Sequence, residues 1–284
     1  MSLAPTRQAP AFISRSDELD TDYAVFVRAP AASAGPGPWP ALVFLDGDYS
    51  FDIAVDVDRT LREAGTIPPA VVVGVGYGQP FNHPGNRRGR DYTPTAAPEE
   101  PTSGGADRFL THLTGPLWAE LARRYPLHQE SSVLAGHSLS SLLALHALFQ
   151  PRPFFRRVLA GAPAIWWDNR SFLTLLKRFR DQQAALPAQL FLGVGTEETA
   201  SMIGDLLLME KQLAERPFEG LQITSAKFPG RDHYNVTPDL FSAGLRSFFA
   251  STDSEAHIHH KGTLLRSKLK SYEGQARDAK VDSK

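Results

Sequence analysis

The chain has 284 residues, 42% of them hydrophobic and 21% charged, a balance that gives a folded domain with a sizeable core and excludes a fibrous or largely disordered chain. Lysine plus arginine number 30 against 31 acidic residues, so no net field draws the chain to nucleic acid, and no apolar run approaches the roughly 18 residues of a membrane-spanning helix. With no cysteine, disulfides, thiolate metal sites and thiol nucleophiles are excluded, and covalent catalysis falls to Ser, Thr, Lys or a carboxylate.

The opening "MSLAPTRQAPAFISRSDELD" lacks the apolar core of a signal peptide, which leaves the compartment open between cytoplasm and periplasm. Apolar runs rich in Val, Ile and Phe then recur at 22–30, 41–46, 70–77, 132–136, 157–163, 189–195 and 221–228, and these read as strands. Several lack polar–apolar alternation, as expected of strands covered on both faces. Helical spacing occupies 53–64, 106–125, 139–150, 171–184, 201–215 and 238–250, with Gly115-Pro116 expected to kink or break the second of these. The alternation predicts an α/β fold with a mostly parallel, doubly wound sheet and helices on both faces. Residues 78–105 form a long Pro- and Gly-rich connection carrying Arg87, Arg88 and Arg90, the kind of loop that lies beside a substrate. We expect one domain over 1–250 and a polar tail over 251–284, where seven basic residues face five acidic ones.

The stretch "LAGHSLSSLL" (134–143) places Ser138 between a strand and a helix. A serine hydroxyl is a weak nucleophile, so acyl transfer needs it exposed on a tight turn with a base beside it and amide donors facing the developing oxyanion. The pattern G-x-S-x-G provides such a turn; here Gly136 is present and Ser140 replaces the second glycine. In an α/β-hydrolase fold the acid and then the histidine follow the serine along the chain, each on a loop after a strand. His233, in "FPGRDHYN", occupies that place, whereas His83, His112 and His128 precede the serine and His257, His259 and His260 fall in the tail. His137 and His146 flank the serine and are expected to be structural, the first pointing away from the site. The acid is Glu197 or Glu198, after the preceding strand. The backbone N–H of Leu139 is one expected oxyanion donor, and Asp48 or Tyr49 the other. Outside the tail stretch "HIHH" the histidines show no paired metal spacing, so no metal is expected.

Five segments in order over roughly residues 40–245 resemble the putative-esterase family of α/β-hydrolases, which holds esterase D-like enzymes and trilactone siderophore esterases. They are "VFLDGDYSF", "RRGRDYTPT", "GGADRFLTHLTGPLWAELARRYPL", "GHSLSSLLALHALFQPRPFFRRVLAGAPAIWWDN" and "FPGRDHYNVTP". The resemblance implies a cofactor-free ester hydrolase with Ser138 as nucleophile, His233 as base and Glu198 as acid. It further implies a small-molecule ester substrate met by Arg88 and Tyr92 of the second segment and by Trp166 and Trp167. The residues alone leave Arg87, Arg88 and Arg90 open between substrate recognition and solvation of a loop. Ser140, Ser141, Ala162, Ala164 and the bulky "DHYN" depart from the family pattern and bear on substrate range. Two other functions stand beside this one: an acyltransferase on the same scaffold, and a non-catalytic binding protein that kept the hydrolase shell.

Overall fold

The computed structural model describes Thr6 and residues 8–249; the expected tail lies outside the described residues. Each apolar run of the sequence forms a strand: β2 Thr21–Arg28, β3 Ala41–Leu45, β4 Val71–Gly76, β5 Val133–His137, β6 Arg157–Gly161, β7 Ala185–Gly195 and β8 Glu219–Phe228. An earlier strand, β1 Phe12–Ser16, precedes them. The eight strands join in one sheet of order β1-β2-β4-β3-β5-β6-β7-β8. β1 and β2 are antiparallel to their neighbours and every other pairing is parallel.

Successive side chains of a strand face opposite sides of the sheet, and both sides here are apolar. Val43, Leu45, Val73, Leu134 and Val158 meet α3 Ala106–His112, α5 Leu139–Leu148, α6 Trp167–Gln182 and α7 Ala200–Glu215 through Phe109, Leu142, Phe172 and Met209. Leu42, Phe44, Val72, Leu159 and Phe191 meet α1 Gly47–Glu63 and α8 Thr237–Phe249 through Phe51, Leu61, Leu240 and Leu245. Each fully buried Leu or Phe contributes about 1.5–3 kcal/mol. Helix α5 is buried at every position but His146, which explains its apolar composition all round. The fold is the α/β arrangement that the alternation implies.

The region 106–124 bends as Gly115-Pro116 predicts: α3 passes through a π turn at Leu113–Leu117 into α4 Trp118–Arg124. The segment 78–105 contains a short helix, α2 Arg88–Asp91. Among the described residues, no helix is long and apolar enough to cross a membrane.

Candidate active site

The strands β3, β5, β6, β7 and β8 are parallel, so the loops that follow them share one edge of the sheet, where an α/β fold presents its ligands. At the end of β5 the chain reverses into α5 through Ser138, held at φ 60° and ψ −121°. A non-glycine residue in that region carries backbone strain of about 1–3 kcal/mol, which persists only where its surroundings fix it. Here they do: the Ser138 N–H donates to the Gly161 carbonyl at 2.9 Å, and its own carbonyl accepts from Ser141 N at 3.1 Å and Ala164 N at 3.2 Å. Gly136 makes the reversal possible, since a Cβ there would lie 2.6 Å from the Ser141 nitrogen and nearer still to the Ser140 carbonyl.

Ser140 and Ser141 stand where the family pattern has glycines, yet both are buried and engaged. The Ser140 hydroxyl donates to the His137 carbonyl at 2.8 Å and accepts from the His137 N–H at 3.0 Å, while the Ser141 hydroxyl donates to the Ser138 carbonyl at 2.7 Å. They brace the turn rather than crowd it. Because the Ser141 and Leu142 amides turn back to Ser138, the Leu139 N–H is left as a donor at the helix start.

β3 pairs with β5, so the N-terminus of α1 lies beside that of α5. The Tyr49 N–H donates to the Asp46 carbonyl at 2.9 Å, which leaves Gly47 and Asp48 as the amides without a helical acceptor. Of the two alternatives for the second oxyanion donor, the Tyr49 amide is engaged by the helix, while the Asp48 amide has no helical acceptor and turns toward its own carboxylate. Its side chain is a clamp: the buried carboxylate accepts from Tyr77 N at 2.6 Å and Gly78 N at 2.8 Å, fixing the start of α1 to the end of β4. Burial raises the Asp48 pKa, against the pull of those two amides.

Glu198 and His233 meet. The His233 Nδ1 lies 2.9 and 3.0 Å from the two Glu198 carboxylate oxygens, with the acid side chain 1% exposed and the imidazole 25%. The two loops are tied by Gly230 N to Thr196 Oγ1 at 2.9 Å and by Glu197 N to the Arg231 carbonyl at 3.0 Å, a close approach that requires glycine at 195. An Asp232 turn, accepting from Tyr234 N and Asn235 N, shapes the histidine loop. Glu197 is exposed to solvent. His137 departs from expectation: its ring does not turn away but packs against His233, with centroids 4.6 Å apart. Burial, then the neighbouring His233, pushes its pKa down to about 3, so it is neutral. His137, Glu198 and His233 are also the side chains here able to hold a metal ion together. His146 lies elsewhere, paired with Asp107 at 2.7 Å.

The remaining expected substrate residues fall into two groups. Arg88 donates through Nε and Nη2 to the two oxygens of Asp46 at 3.0 and 2.9 Å, and its guanidinium lies 4.7 Å from the Phe81 ring centroid. Burial opposes its charge, but Asp46 more than offsets this and holds its pKa above the ordinary arginine value. Tyr92 is fully buried, its hydroxyl accepting from Asp46 N at 3.2 Å. Asp91, also fully buried, accepts from Tyr23, Tyr77 and Arg90. Within the loop motif Arg88 and Tyr92 therefore turn inward to the left-handed Asp46 that precedes α1, and Arg90 turns to Asp91. Trp167 is buried and donates to the Thr95 carbonyl at 3.0 Å, pinning the same loop, whereas Trp166 is 47% exposed. Sequence reading did not single out Phe81 and Tyr234, which are likewise exposed aromatics on loops after β4 and β8.

The family described as "Putative esterase" matches residues 16–235. The chain belongs to this family. As a member it is a carboxylic-ester hydrolase. Among its relatives, the ferri-bacillibactin esterase BesA of Bacillus subtilis is 29% identical over 79% of this chain and 83% of its own length. The siderophore triacetylfusarinine C esterase of Aspergillus fumigatus is 27% identical over 76% of this chain and 83% of its own. Of solved structures, the BES protein from Bacillus cereus superposes with a TM-score of 0.76 at 26% identity, covering 89% of this chain and 98% of that one.

Proposed function

We propose that this esterase hydrolyses siderophore esters through an acyl-enzyme formed on Ser138. The observation that carries the reading is the Glu198–His233 pair, whose imidazole packs on the ring of His137, the residue that immediately precedes the strained Ser138. As the Ser138 hydroxyl attacks the ester carbonyl, its proton passes to His233, and Glu198 holds the Nδ1–H and stabilises the resulting imidazolium. The carbonyl oxygen, now negative, takes the Leu139 and Asp48 amides, whose helix N-termini favour an anion. Collapse breaks the ester C–O bond and His233 returns the proton to the departing alcohol. Water then attacks the acyl-enzyme by the same steps and regenerates Ser138. No residue in this sequence of steps needs a metal or cofactor.

The named activities of the relatives support a siderophore as the ester. So do the exposed rings of Phe81, Trp166 and Tyr234 on loops along the same sheet edge, which offer flat apolar surface to a large ligand with aromatic or acyl arms. The test is hydrolysis of ferric bacillibactin, ferric triacetylfusarinine C and p-nitrophenyl acetate, with products followed by liquid chromatography and mass spectrometry. The reading predicts linearised siderophore and a higher kcat/KM on at least one ferric ester than on the acetate. Turnover of the acetate with both siderophores left intact would contradict the substrate assignment.

A further inference from the structure

Donor atoms of His137, Glu198 and His233, one from each, lie within 4.8 Å of one another. Two imidazoles and a carboxylate are the protein donors of a three-ligand zinc site, which leaves a fourth position for water. A second observation points the same way. The His137 Nε2 is buried and has no hydrogen-bond partner among the described residues, an uncommon state for a buried polar atom. We propose that these three residues bind a divalent transition-metal ion and that its binding switches the esterase off. The inhibitory consequence rests on the function proposed above; the binding does not.

The geometry sets what must move. Zinc–nitrogen bonds of about 2.0–2.1 Å in a tetrahedral site place donors roughly 3.3 Å apart. The 2.9 and 3.0 Å contacts between His233 and Glu198 therefore open by a few tenths of an ångström, and the His137 nitrogen closes on them. His233 is the partner with an open side: its imidazole is 25% exposed between the exposed Arg231, Tyr234 and Asn235, which gives an ion access. Glu198 supplies a negative charge, while the nearby Arg88 is already neutralised by Asp46. An ion held there takes both the His233 nitrogen that faces Glu198 and the carboxylate that orients the ring. The base is then neither free nor correctly turned to accept the Ser138 proton. Nitrogen-rich donors favour zinc and copper over magnesium and calcium, which prefer oxygen.

The experiment uses the full chain with ZnCl2 against p-nitrophenyl acetate hydrolysis, and CoCl2 as a spectroscopic probe. Zinc is expected to inhibit reversibly, with EDTA restoring the rate and magnesium without effect. Each variant's rate is normalised to its own metal-free rate. His137→Phe, which keeps a ring but removes the ligand, should raise the half-inhibiting zinc concentration by about tenfold or more. Replacing His257, His259 and His260 by Ala should leave that concentration unchanged, separating this site from the tail histidines. The visible absorption of bound Co2+ should survive in Ser138→Ala and weaken in His137→Phe and in Glu198→Gln. The Glu198→Gln spectrum decides the matter should His137→Phe not fold. Zinc inhibition unaltered in His137→Phe, or abolished in the tail variant, or a Co2+ spectrum indifferent to both ligand substitutions, would overturn the proposal. A metal-free chain that hydrolyses no ester would instead defeat the proposed function, with the Co2+ spectra still judging the site.

Discussion

Arg88→Ala separates two uses of one guanidinium. In the structure its donors go to Asp46, whose side chain is 10% exposed beside an Arg88 that is 22% exposed. Removing the arginine leaves a largely buried carboxylate unpaired, a change that costs about 3–5 kcal/mol in buried pairs. Taking about 3 kcal/mol for this partly wet pair, and roughly 2–4 °C per kcal/mol for a domain of this size, Tm should fall by roughly 6–12 °C. The same loss loosens the Asp46 turn that sets the Asp48 amide, so kcat/KM should fall by a common factor on neutral and anionic esters. Asp46→Asn combined with Arg88→Met, which removes both charges, should recover much of the stability. Thermal unfolding by circular dichroism and hydrolysis of p-nitrophenyl acetate beside an anionic aryl ester supply the readings. An unchanged Tm with a loss confined to the anionic ester would assign the guanidinium to substrate and refute this reasoning.

His233→Ala should lower kcat by on the order of 10³-fold or more, and Glu198→Gln by on the order of 10²–10⁴-fold, whereas the solvent-exposed Glu197→Gln should be near neutral; steady-state kinetics on one ester orders the three. Gly136→Ala forces a methyl against the Ser140–Ser141 peptide and should cost at least about 2 kcal/mol in urea unfolding while depressing activity through the displaced elbow. The hydrogen bond from His146 holds the Asp107 carboxyl below its ordinary pKa, so this pair stabilises the fold above about pH 4 and the contribution is lost as pH falls through the lowered value. Asp107→Asn should therefore cost under about 1 kcal/mol at pH 7, Asp107 being mostly exposed, and nothing at pH 2; urea unfolding at the two pH values checks it.

The parallel strands were legible because their apolar runs are buried on both faces, so composition alone marks them. β1 was not: Phe12–Ser16 is a short edge strand with Ser and Arg in alternation, which reads like the surrounding polar segment. The first turn of α1 was hidden for another reason. Gly47, Asp48 and Tyr49 look like a turn, and become helical because Asp46 takes a left-handed conformation braced by Arg88 and Tyr92, residues more than forty positions away. Chain order gave Glu198 and His233 a place after the serine, and their meeting follows from the adjacency of β7 and β8. The inward turn of Arg88 and Tyr92 left no local signal, since an arginine-rich loop has one composition whether it faces solvent, substrate or its own scaffold. The contact of His137 with His233 likewise depends on how the last loop folds back over β5.

The central claim is that Ser138 is the nucleophile, and covalent labelling measures it directly. The full chain, its Ser138→Ala variant and the His233→Ala variant are treated with a fluorophosphonate, digested, and mapped by tandem mass spectrometry. The account predicts one adduct, on Ser138, formed much more slowly in His233→Ala and absent from Ser138→Ala, with ester turnover lost in step. An adduct that persists in Ser138→Ala, or that maps to another serine in the wild type, would contradict it.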